Sequence, residues 1–275
     1  MMTAQAGASA LPFFMDANPG QRFCLLHLPA PGHTPRGAIV YIHPFAEEMN
    51  KSRRMAAIQA RAFAGAGYGV LQIDLYGCGD SSGEFSGARW HIWKRDLVLA
   101  CEWLARRVDG PLSIWGLRLG ALLALELASQ SQERFERVIL WHPVFKGKTH
   151  IDQFLRMERA SRMLTASARQ DDAPSARQQL AGGASIEVGG YTLAPELVVA
   201  IDGADAAAHP PACAIDWFEQ ASDCGVAPAA ASQAERWHHA GAALTLHPVP
   251  GLAFWGSTEI IECQALLAAT ATLYT

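Results

Sequence analysis

Short, nearly uninterrupted apolar runs alternate along this chain with longer amphipathic stretches. Ala38-Ile39-Val40-Tyr41-Ile42, Gly69-Val70-Leu71-Gln72-Ile73 and Val138-Ile139-Leu140-Trp141 stay largely apolar at successive positions. A strand solvated on one face would alternate; one covered on both faces does not, so these runs predict buried strands of a parallel sheet. An earlier strand is expected over residues 23–28, ended by Pro29, Pro31 and Gly32, and later ones over 213–218 and 243–247. Helices are expected between them, over about residues 53–66 and 90–107. In the second, Trp93, Leu97, Ala100, Cys101 and Leu104 form one apolar stripe. Residues 46–52 read as a polar loop and 257–274 as a closing helix. Strand–helix alternation of this kind implies a mainly parallel sheet with right-handed crossovers.

One stretch departs from plain alternation. Leu112-Ser113-Ile114-Trp115-Gly116-Leu117-Arg118-Leu119-Gly120-Ala121 predicts a buried strand, a sharp turn flanked by glycines, and an Ala/Leu-rich helix. That is the setting of a nucleophile elbow, Gly-x-Ser-x-Gly, but the central residue is Arg118 rather than serine. The alternation itself breaks after Lys146. Residues 147–211 hold a polar helical pattern near 151–167 and a middle rich in Gly and Ala, with no clear sheet strand. They read as a cap inserted after the sixth strand.

Composition narrows the classes. Half of the 275 residues are apolar and 17% are charged, enough for a sizeable core, and a formal net charge of −4 argues against nucleic acid or an anionic membrane surface as partner. Six cysteines without a CxxC pair read as buried thiols in a domain of this size. Met1 to Ala10 carry neither a basic residue nor a long apolar core, so no signal peptide is expected. No run approaches the roughly 18 apolar residues of a membrane span. A cytoplasmic protein is expected.

Three features together resemble the α/β-hydrolase superfamily. They are the apolar strand ending in His43-Pro44-Phe45, the loop Asp74-x-x-Gly77-x-Gly79-Asp80-Ser81, and the elbow. The resemblance implies an α/β-hydrolase fold: an eight-stranded, mostly parallel sheet with helices on both faces. Residues 1–146 and 212–275 would form the core and 147–211 the cap. More narrowly, the segment from Pro44 to Arg54, Gly116-Leu117-Arg118-Leu119-Gly120 and Phe254-Trp255 are similar to the exosortase A system-associated hydrolases of the second type. That likeness implies a bacterial setting of exopolysaccharide synthesis and protein sorting and no established substrate; a small-molecule or carrier-linked acidic substrate or a protein partner of that system is expected, and no cofactor.

The chemistry of such a fold needs a serine that attacks a carbonyl, a histidine that takes its proton, and a carboxylate that orients the histidine. Arg118 cannot attack, because its guanidinium stays protonated. The loop that would carry the histidine has Leu252 or Ala253 at that place, and His247 falls inside or at the end of a strand. Asp223 stands where the acid often follows the seventh strand, and the oxyanion donors by position are the backbone amides of Leu119 and of Phe45 or its neighbour. A cation at a helix start opposes the dipole, so Arg118 requires a counter-charge, for which Glu47 and Glu48 are the candidates.

His43, Arg118 and His142 end three neighbouring strands on one edge of the sheet, where open α/β sheets bind ligands. On one reading Arg118 holds an anion there and a histidine moves a proton; on the other, both histidines only cap strand ends. A metal held by His43, His142 and a glutamate lacks any recognised ligand spacing. Asp74 and Asp80 read as tethers of their glycine-rich loop. Two functions remain open: an acyl (ester or thioester) hydrolase with an unconventional site, and a catalytically inactive pseudo-hydrolase that binds an anionic ligand or a partner protein in the same pocket.

Overall fold

The computed structural model describes residues 10–32, 34–130, 135–165, 174–222 and 225–274. Strands β1 (Ala10–Asp16), β2 (Gln21–His27) and β3 (Gly37–Ile42) precede helix α1 (Glu47–Gly65). Then come β4 (Tyr68–Ile73), α2 (Trp90–Ala105), β5 (Leu112–Leu117), α3 (Leu119–Gln130) and β6 (Arg137–Trp141). The segment after β6 carries α4 (Gly147–Thr165), α5 (Ala176–Ala181), a hairpin of β7 (Ile186–Val188) and β8 (Tyr191–Leu193), and α6 (Pro195–Asp202). The chain closes with β9 (Ala214–Ser222), β10 (Gly225–Val226), α7 (Pro228–His239), β11 (Leu244–Pro250) and α8 (Gln264–Thr272).

Among the described residues, eight strands and the two-residue β10 make one sheet in the order β1-β2-β4-β3-β5-β6-β9, with β11 on the far side of β9. The β1–β2 and β2–β4 pairs are antiparallel, as is the short β9–β10 return; the rest are parallel. All six residues of β3 are buried, in agreement with its continuous apolar run. Residues such as Val40, Ile42 and Ile114 pack with α2 and α3 on one face, while Ile39, Tyr41, Trp115 and Trp141 pack with α1 and α8 on the other. The α/β-hydrolase fold is thus present.

Several boundaries differ from the sequence expectation. Helix α1 starts at Glu47, not near residue 53, so the supposed polar loop is its first two turns. Its acidic start suits the positive end of a helix. The closing helix begins only at Gln264, because the preceding residues run across α1: Cys263 N–H donates to Met55 Sδ at 3.3 Å, and Glu262 pairs with Arg54. β1 and the β7–β8 hairpin were not expected; the hairpin forms a separate two-stranded sheet.

Buried polar contacts fix the loop after β4. Asp74 Oδ2 accepts from Arg53 Nη2 at 2.9 Å and from the Asp80 amide at 3.1 Å, so Asp74 is a tether; Asp80 contributes its backbone. Beneath the loop Arg22 and Asp96, 0% and 2% exposed, pair at 2.7 Å, and Asp96 also accepts from the Tyr76 amide.

Candidate functional site

Residues Ile42 and Gly116 are register partners, as are Leu117 and Trp141, so the residues that follow, His43, Arg118 and His142, emerge side by side at one sheet edge. The elbow is retained in its backbone. Arg118 sits at φ 55, its N–H donates to Trp141 O at 3.0 Å, and its carbonyl accepts from Ala121 and Val144. The flanking glycines are required by contact. A Cβ on Gly116 would lie 2.5 Å from Ala121 Cα, and one on Gly120 would lie 2.3 Å from Ile42 O. Among the described residues, the non-glycine positions with positive φ are Ala46, Arg118 and His142, and all three lie at this edge. Strain of about 1–3 kcal/mol per residue that clusters in this way is a signature of functional sites.

The guanidinium of Arg118 rests between a carboxylate and an indole. Arg118 Nε donates to Glu48 Oε1 at 3.4 Å, and Arg118 Cζ lies 5.3 Å from the Trp255 ring centroid. The side chains of Arg118 and Glu48 are 20% and 16% exposed, so the pair is sheltered but not sealed. Burial pushes the Glu48 carboxyl up, and the Arg118 charge pulls against that without cancelling it. Glu48 Oε2 is buried without a hydrogen-bond partner. Of the two candidate counter-charges, only Glu48 meets Arg118. Glu47 faces outward to the inserted hairpin, where Oε2 accepts from Asn50 at 3.0 Å and from Tyr191 OH at 3.2 Å.

The two histidines are held neutral. His43 Nε2 accepts from the Leu75 amide at 3.2 Å, which places its proton on Nδ1 against Pro44 O at 2.7 Å. Both nitrogens are spent on backbone, and burial lowers its pKa. His142 Nδ1 accepts from the Gln220 amide at 3.0 Å, with Glu219 Oε1 at 3.6 Å, so its proton belongs on Nε2. Burial lowers this pKa too, against the pull of Glu219. The ring of His142 lies 4.3 Å from that of Trp255.

Phe45 and Leu119, expected to supply the oxyanion amides, line one cavity of about 10 Å³ together with His43, Ala46 and Cys78, room for about a single water. The Phe45 ring fills the adjoining space, edge-on to Phe85, Trp93, Phe154 and His150. Cys78, in the same wall, is a poor nucleophile, since burial raises its thiol far above the ordinary range. His247 is elsewhere: its Nε2 bonds Asp216 Oδ1 at 2.9 Å, and β11 lies three strand spacings from β5, about 14 Å. Burial would raise the Asp216 carboxyl, but His247 and Arg137 outweigh it and hold it low. Asp223 lies outside the described residues. Among the described residues no three His, Cys, Asp or Glu side chains group as a metal site, and no helix is long and apolar enough to cross a membrane.

Two participants had not been singled out from the sequence for this role. Trp255 entered only through the likeness of Phe254-Trp255 to a family, yet its ring lies 5.3 Å from Arg118 Cζ and covers the elbow side chain. His150, on α4, is 4% exposed, and neither ring nitrogen has a partner. Burial and the nearby Arg118 charge push its pKa down to about 3. The only signal available was its place at the start of a polar helix, which gives no direction.

This elbow, between a parallel β5 and α3 beside the oxyanion-loop strand, defines an α/β-hydrolase. The chain belongs to the serine aminopeptidase, S33, family, whose model matches residues 33–180. No curated protein matches it. Among solved structures it is similar to Est1E from Butyrivibrio proteoclasticus bound to ferulic acid (TM-score 0.66, 14% identity, 95% of this chain and 97% of that one). A soluble variant of monoglyceride lipase from Saccharomyces cerevisiae gives a TM-score of 0.65 at 14% identity, over 98% and 96% of the two chains. A thermostable carboxyl esterase from Bacillus coagulans gives 0.64 at 12%, over 98% of each. At these identities the likeness concerns the fold.

Proposed function

We propose that this α/β-hydrolase family member has exchanged serine catalysis for anion binding, with Arg118 as the anchoring group and residues 147–211 as the cap over it. The observation that carries the reading is Arg118 itself, at φ 55 in the nucleophile position, its guanidinium held between Glu48 and Trp255. The Glu48 contact is long and engages Nε, which leaves the outer N–H groups of a partly exposed guanidinium free to grip a carboxylate or phosphate. His142 adds an N–H donor at Nε2. Neither histidine of the edge is arranged as a base, since His43 has no spare nitrogen and His142 carries its proton on the free one.

The likeness of residues 44–54, 116–120 and 254–255 to exosortase-associated hydrolases supports a ligand drawn from bacterial exopolysaccharide or carrier-linked acids, met in the cytoplasm or presented by a protein partner. The second reading, hydrolysis of an ester or thioester, is favoured by the family match. A serine-reactive fluorophosphonate and p-nitrophenyl acyl esters separate the two. Binding without catalysis predicts no labelling and no turnover, also in Arg118→Ser, because neither His43 nor His142 is arranged as a base. Turnover by the unaltered protein that Arg118→Ala abolishes would overturn the binding reading.

A further inference from the structure

A second and larger cavity, of about 150 Å³, lies between α1 and the sheet. Its floor follows from the strand register. Tyr41 pairs with Gln72, and Gln72 with Leu25, so these three residues form one row across β3, β4 and β2 on the face that α1 covers. Above them α1 contributes Met49, Ala56 and Ala57. Alanines at two successive positions leave open a space that larger side chains would fill. Arg53, also in the lining, has a side chain 41% exposed, so the cavity reaches the surface there. The cavity is separate from the elbow: neither Arg118 nor Leu119 lines it, and His43 is the residue it shares with the small cavity beside Leu119.

The lining has a definite chemistry. Its charges cancel, since Arg53 Nη2 pairs with Asp74 Oδ2 at 2.9 Å, and both nitrogens of His43 are spent on backbone. An ionised ligand would therefore lose its hydration without gaining a counter-charge. Tyr41 is different: it is 4% exposed, and its hydroxyl is buried without a hydrogen-bond partner. Ser52 Oγ and the Gln59 amide are also buried and unpartnered beneath α1, but those residues do not line the cavity. Burial raises the Tyr41 pKa, so its hydroxyl stays protonated and can donate. An apolar cavity of roughly this volume takes up benzene, which sets the size of an occupant at one six-membered ring.

We propose that this cavity is a binding site for a small neutral ring compound carrying one oxygen, a phenol or a cyclic ketone, whose oxygen accepts a hydrogen bond from Tyr41. The ring lies against Leu25, Met49, Ala56 and Ala57, and the oxygen supplies the partner that the Tyr41 hydroxyl lacks. Gln72 is the second donor in the lining: its Oε1 is taken by His27 Nε2 at 2.9 Å, and its amide N–H groups remain for the same oxygen. The site does not depend on the role of Arg118, and its test is independent of that reading.

The test is titration calorimetry on the whole chain with phenol and cyclohexanone, with toluene as the ring without an oxygen. Phenol and cyclohexanone are expected to saturate one site, and phenol to bind about threefold to tenfold more tightly than toluene, the span that one net hydrogen bond supplies. In Tyr41→Phe the phenol-to-toluene ratio falls to about one while toluene affinity is kept. Ala57→Leu fills the cavity and loses all three ligands. Melting curves show whether each variant is folded; if Ala57→Leu is not, the ratio in Tyr41→Phe still decides. Equal affinity of the parent for phenol and toluene, or a ratio unchanged in Tyr41→Phe, overturns the proposal, as does the absence of saturable binding by any ring. Phenol affinity unaltered in a folded Ala57→Leu would place the binding elsewhere and overturn it too, and displacement of phenol by benzoate would overturn the assignment to a neutral ligand.

Discussion

Replacing Arg118 by methionine keeps the aliphatic stem beneath Trp255 and removes the charge. Glu48 is then left in its sheltered place with no cation beside it. Exposed ion pairs contribute roughly 0–1 kcal/mol, and breaking a buried pair costs roughly 3–5 kcal/mol. With both side chains about four-fifths buried and one contact at 3.4 Å, the loss expected at neutral pH is about 2 kcal/mol. For a chain of this size that lowers Tm by about 4–8 °C.

The sign of the pH dependence follows from Glu48. Its folded-state pKa is already raised by burial, and losing Arg118 raises it further. A raised carboxyl binds its proton more readily in the folded protein, so its contribution to stability is present at low pH and is lost as pH rises through the folded pKa. The variant's deficit is therefore greatest at neutral and alkaline pH and shrinks in acid, where the carboxyl is protonated with or without Arg118. Urea unfolding at pH 5 and pH 8, on the parent, Arg118→Met, Glu48→Gln and the double variant, measures this. The double variant should recover most of the stability at pH 8. A deficit equal at both pH values, or no recovery on adding Glu48→Gln, would refute the pairing.

His150→Phe should flatten the acid limb of stability. His150 is held neutral with its pKa lowered to about 3, so the parent loses stability as pH falls below the unfolded value near 6.5, and at pH 5 relief of about 2 kcal/mol is expected by chemical denaturation. Gly120→Ala should cost about 3 kcal/mol or abolish soluble expression, since the new Cβ would meet the Ile42 carbonyl at 2.3 Å; urea midpoints, or yield, report it. Arg22→Leu should cost about 3–5 kcal/mol by leaving Asp96 buried and unpaired, and adding Asp96→Leu should return much of it, measured by the same melts.

The fold was legible because its strands are apolar on both faces. Residues 38–42 and 138–141 carry no alternation to misread, and the glycines around Arg118 mark a close approach whose atoms the structure supplies. The site was legible as far as short-range chemistry reached. A buried cation must have a counter-ion nearby, and Glu47 or Glu48 was the right pair to choose from. Which of them turns inward depends on where α1 begins. The run from Glu47 to Ser52, polar except for Met49, concealed that start, since neither periodicity nor a side-chain cap announces it. Trp255 and His150 were out of reach for another reason. Trp255 meets Arg118 and His150 meets Phe45 across long sequence separations, the one on a short helical turn after β11 and the other on a segment with no sheet register, so no spacing rule connects them to the elbow. The preference of His247 for Asp216 was hidden likewise, as it depends on the β9–β11 pairing.

The elbow's backbone geometry does not come from the residue at its centre. Close packing of Gly116 against α3 and of Gly120 against β3, with the hydrogen bonds to Trp141 and Val144, holds position 118 in the left-handed region. A side chain placed there is aimed at the same point above the sheet whatever its chemistry. Position 118 therefore works as a socket, in which the chain's reactivity can be exchanged by one codon while the scaffold that presents it stays unchanged. The scaffold that aims position 118 above the sheet edge is thus independent of whether the side chain there can act as a nucleophile.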